Sequence, residues 1–140
     1  MNLRLVFLLS LFGLAMAIAT VFVLPSRLET FCWPVIFVVC AAVVARRAPG
    51  FFFLHGFLVG FTNWVWVALA HVLLWDAYRA THLEEIAAWR SLSAPGPLAA
   101  FLGVLRTHDL PIPGASGVVI GLLAWIASRF LRRRPDPIER

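Results

Sequence analysis

The polar side chains within "FTNWVWVALAHVLLWDAYRATH" (residues 61–82) stand in a register that could do chemistry. At 100° per residue, His71, Tyr78 and His82 fall within about 20° of one line, the line that also carries Phe53, Gly60 and Trp64. Two imidazoles and a phenol on one stripe can hold a metal or relay a proton. Glu84 and Asp109, further along, are of the right types to complete such a site. No recognised ligand spacing such as HExxH accompanies them, and acids scattered through a polar segment also describe a solvated loop. A haem between two histidines needs both at one depth. His55 lies 16 residues down the same helix, about 24 Å away, so one chain cannot supply the pair. The candidate polar site is therefore His71, Tyr78, His82, Glu84 and Asp109, with no catalytic residue, metal or cofactor assigned.

These residues must be positioned by helices in lipid. The 140 residues are 61% hydrophobic and only 14% charged, with a mean hydropathy of +0.88. A soluble domain carries about a quarter charged residues, so this much apolar surface calls for a bilayer. An open sheet would leave backbone groups unsatisfied there, which leaves helices. The reading is an all-α integral membrane protein, one four-helix transmembrane domain over residues 1–140. Its spans are 5–24, 31–45, 51–75 and 113–131, with an outer connection over 76–112. Thr30 is expected to cap the second span, with Pro34 in its first turn. The third span would reach about 37 Å and so tilt or protrude. The short connections "PSRLET" and "ARRAPG" imply that the first three spans are antiparallel neighbours. In the outer connection, Thr81 and Glu84 form a capping-box pattern, and "PLAAFLGVLR" suits a short interfacial helix.

Arginine sets the orientation, since lysine is absent. Arg4, Arg46, Arg47, Arg129, Arg132, Arg133, Arg134 and Arg140 fall on one side; Arg27, Arg79, Arg90 and Arg106 fall on the other. The acids favour the second side, with Glu29, Asp76, Glu84, Glu85 and Asp109 against Asp136 and Glu139. The positive-inside rule then places both termini in the cytoplasm, an N-in/C-in arrangement in a bacterial inner membrane. The basic balance reports topology, and no nucleic-acid partner is expected. "MNLRLVFLLSLFGLAMA" could be read as a cleaved signal, but the apolar run continues through "IATVFVL", as in a retained span. Cys32 and Cys40, about 12 Å apart along one helix, cannot bridge each other, and no CxxC is present.

Small residues mark the helix-packing faces. Gly117, Gly121, Ala124 and Ser128 give the last span one smooth side, while Gly13 and Ala17 on the first span and Gly56 and Gly60 on the third offer similar surfaces. Such faces let helix backbones approach closely in lipid, within the bundle or against a second chain. No Asp, Glu or Lys sits deep in a span; the polar residues at depth are Ser10, Thr20, Thr62 and Asn63. Ion-coupled transport normally needs an intramembrane ionisable group, which argues against a transporter.

"HGFLVGFTNWVWVALAHVLLWDAYRATH" and "GVVIGLLAWIASRFLRR" resemble a group of uncharacterised four-span bacterial inner-membrane proteins, through Gly56, Gly60, Asn63, Trp66, His71, Tyr78, His82, Gly117 and Gly121. The resemblance covers about half the chain and implies a fold rather than an activity. "VALAHVLLW" is also similar to the histidine segment of bacterial light-harvesting polypeptides, departing from it at Val67. The function expected is that of a small accessory or scaffold protein, packing against a membrane partner or a second copy of itself. An enzyme or cofactor carrier using the outer-interface residues is the alternative, and a non-enzymatic role is favoured.

Overall fold

A computed structural model describes residues 1–82 and 111–131, without the side chains of 26, 27 and 111–113. Every element among the described residues is helical: α1 (Leu3–Phe22), α2 (Ser26–Arg47), α3 (Phe52–Leu73), α4 (Trp75–Thr81) and α5 (Pro111–Leu131). Four of them contain stretches long and apolar enough to cross a membrane: Leu3–Phe22, Leu28–Arg47, Phe52–Leu73 and Gly114–Leu131. The expected interfacial helix, Glu84 and Asp109 lie outside the described residues.

Local chemistry explains the boundaries. Asn2 caps α1, its side chain accepting from the Leu5 N–H at 3.1 Å. α2 begins earlier than Thr30, directly after Pro25, and hydropathy misses this because its first turn is polar. Glu29 in that turn suits the helix dipole and accepts from Trp33 Nε1 at 3.0 Å, one turn on. Pro34 accordingly lies inside the helix rather than in its first turn. Phe51 adopts the left-handed conformation (φ 49°, ψ 45°) just before α3. That is an uncommon geometry for a bulky residue, and it turns the chain sharply out of "APG". At Leu74 (φ −108°, ψ 27°) the helix is interrupted and restarts as α4. Leu74 still donates to Ala70 and accepts from Tyr78, so α4 continues α3 through a bend.

Chain direction alternates along the sequence, but the tightest packing is not between sequential helices. α3 lies between α1 and α5, and α2 packs chiefly on α5, while α1–α2 and α2–α3 contacts are sparse. Short connections fixed direction without fixing neighbours, because the small-residue faces decide which backbones can come close. α1 and α3 run parallel, matched from Asn2–His55 through Ser10–Trp66 to Val21–Thr81. α3 and α5 run antiparallel: a Cβ built on Gly56 would stand 2.7 Å from Gly121 Cα, and one on Gly60 2.6 Å from Gly117 Cα. A core of Leu5, Val6, Leu9, Cys40, Ala41, Val44, Ala48, Val59, Ile120 and Ala124 joins all four long helices at the Ala48 end of the bundle. Towards the other end α2 leaves this core, with only the half-buried Ile36 and Phe37 still packing against it. Every described side chain from Leu28 to Val39 is partly or fully exposed, Phe31 by 73% and Val35 by 63%.

Candidate functional site

Three of the residues singled out for chemistry come together. Tyr78, buried on α4, has the His71 ring edge-on at 4.4 Å between centroids and the His82 ring stacked at 4.2 Å with an interplanar angle of 13°. The bend at Leu74 does not separate them, because the backbone hydrogen bonds carry the helical register across it. Trp75 and Leu74 pack beside this cluster, and Val21 of α1 closes it from the neighbouring helix. Glu84 and Asp109 lie outside the described residues.

The orientation of His82 is set by Thr81. The Thr81 hydroxyl donates to the Val21 carbonyl at 2.9 Å, fastening α4 to the end of α1. The same oxygen lies 2.8 Å from His82 Nδ1, and the Tyr78 carbonyl lies 3.2 Å from it. Nδ1 is thus the ring nitrogen that these two groups hold. Nε2 is buried and has no hydrogen-bond partner among the described residues. An imidazole held through one ring nitrogen is the arrangement found behind ligating histidines. Among the described residues no group of three His, Cys, Asp or Glu side chains could hold a metal ion. Asp76 and Arg79 pair at 3.6 Å on the exposed side of α4, away from the rings. The Thr81 side chain thus serves α4 and α1; Glu84, its expected capping partner, is not among the described residues.

The small-residue faces are occupied within the chain. Gly56 and Gly60 meet Gly121 and Gly117 across the α3–α5 contact. A Cβ on Gly13 would lie 2.6 Å from Asn63 Cα, and Ala17, Ala124 and Ser128 are all buried. Beside Gly13 runs a polar seam between α1 and α3. Asn63 Oδ1 accepts from the Gly13 N–H at 3.2 Å, and Trp66 Nε1 donates to Ser10 Oγ at 3.1 Å. Asn63 Nδ2 and Thr20 Oγ1, both buried, have no hydrogen-bond partner among the described residues.

His55 has a role that the sequence reading did not assign. It is fully buried, and its Nε2 accepts from the Asn2 backbone N–H at 2.9 Å. Its Nδ1 donates to the Phe51 carbonyl at 3.0 Å. One neutral imidazole thereby ties the start of α1 to the left-handed turn before α3. A polar ring in the first turn after Pro-Gly, opposite an Asn-capped helix start, is the signal that could have shown it.

The chain matches no family model, no curated protein and no solved structure.

Proposed function

We propose that this chain is a small accessory or scaffold protein of a bacterial inner membrane, with both termini cytoplasmic, acting by packing against a membrane partner or a second copy of itself. One observation carries the reading: α1 buries side chains along its whole length, whereas the outer half of α2 buries none of its described side chains. With the glycine faces of α3 and α5 engaged with each other, α2 supplies the surface where a further helix fits. A photo-cross-linking residue at Phe31 or Val35, in the native membrane, tests it. Adducts to protein at these positions, but only to lipid at Phe7 of α1 and Leu122 of α5, are the expected result. Lipid adducts at all four positions would refute it.

A second reading is favoured by the convergence of His71 and His82 on Tyr78, with a buried His82 Nε2 that has no partner among the described residues: a ligand or cofactor site at the outer interface. A chromophore or stoichiometric metal that co-purifies with the wild type and is lost in His82→Ala would establish it. Purified protein carrying neither would end it.

A further inference from the structure

The end of the bundle formed by the start of α1 and the ends of α2 and α5 carries a ring of positive charge. Arg4, Arg46, Arg47 and Arg129 are all exposed there. Leu5, Val44, Ala48 and Ala124, each within about one and a half turns of one of them, belong to one packed cluster, so the three helix ends are held at one level. No acid lies at this end among the described residues; Glu29 and Asp76 belong to the opposite end. The Arg129 guanidinium lies 4.8 Å from the Trp125 ring centroid, a cation–π contact that steadies its fork of donors.

What separates this ring from a site for a soluble anion is its apolar company. Leu3 (62% exposed) adjoins Arg4, Phe130 (80%) adjoins Arg129, and Phe51 (76%) follows the Arg46–Arg47 pair around the turn. Charge for a phosphate and exposed apolar side chains for hydrocarbon therefore stand together at this end of the bundle. A phosphodiester with acyl chains satisfies both, and a free phosphate satisfies only the first.

We propose that this end of the bundle binds an anionic phospholipid, with the arginines on its phosphate and Leu3, Phe51 and Phe130 against its acyl chains. The test uses the full chain in dodecyl maltoside, titrated with dioleoyl phosphatidylglycerol or dioleoyl phosphatidylcholine and read by native mass spectrometry. Phosphatidylglycerol should be retained in preference to phosphatidylcholine. Each arginine contributes about fivefold, so R46Q/R47Q should lower retention about 25-fold. R79Q, which alters the Asp76 pair at the other end, should leave it unchanged. Should a variant fail to purify, salt serves instead: raising it must weaken wild-type binding of phosphatidylglycerol and spare phosphatidylcholine. Equal retention of the two lipids, or equal loss in R79Q, overturns the proposal. Full displacement by inorganic phosphate or by an oligonucleotide also overturns it, in favour of a soluble-anion or nucleic-acid surface.

Discussion

Gly60→Ala should loosen the α3–α5 contact, and the size of the effect follows from the geometry. The added Cβ would stand 2.6 Å from Gly117 Cα, 2.7 Å from Gly117 N and 2.9 Å from the Ser116 carbonyl carbon. All three are backbone atoms of α5, so no side chain can swing away. Ordinary contact begins at 3.4 Å, which obliges the helices to part by about 0.8 Å and forfeits dispersion along the seam. Overpacking of this kind costs about 1–3 kcal/mol, while alanine returns up to about 1 kcal/mol of helix propensity. The expected net loss is about 0–2 kcal/mol, and the gap to a glycine whose substitution meets no clash is about 1–3 kcal/mol. Gly114→Ala on the same helix is the control, because a Cβ there meets no described atom within 4 Å; it should keep or slightly raise stability. Reversible unfolding in dodecyl maltoside–SDS micelles, followed by tryptophan fluorescence, reads both. If Gly60→Ala proves as stable as Gly114→Ala, the α3–α5 crossing is not as close as described.

Three further substitutions have distinct signatures. His55→Leu strips a partner from both the Asn2 N–H and the Phe51 carbonyl and should cost about 1–3 kcal/mol, with hydrogen exchange rising at the start of α1; unchanged exchange there would refute the tie. Asn63→Leu loses the bond to Gly13 but also removes a buried donor that has no partner, so stability should stay within about 1 kcal/mol of wild type. A large loss would mean that Nδ2 is satisfied after all. Thr81→Val releases α4 from Val21 and frees the His82 ring, which should cost about 0.5–1.5 kcal/mol and broaden the His82 ring signals in NMR; sharp, unshifted signals would refute the relay.

The four long helices were legible because hydropathy and length decide them. Their neighbours were less so. Loop length suggested α1–α2–α3 in sequence, and the spacings Gly56–Gly60 and Gly117–Gly121 marked close-packing faces without saying that they meet each other. The break at Leu74 leaves no mark in a run that stays apolar through Trp75, and the early start of α2 is hidden by its polar first turn. The His71–Tyr78–His82 stripe was legible because its periodicity survives that bend. The Thr81 bond to Val21 was not, since it joins elements 60 residues apart through a backbone carbonyl that no side-chain pattern announces. The His55 tie was not legible either, since it joins α3 to a backbone N–H 53 residues away.

The assembly reading is tested most directly by native mass spectrometry of the protein released from its own membrane, with Phe31→Glu beside it. The wild type should carry the mass of a second chain or of another polypeptide, and the charge on the open face of α2 should remove that mass while a single chain remains folded. A wild-type spectrum showing one chain with lipid alone would contradict it.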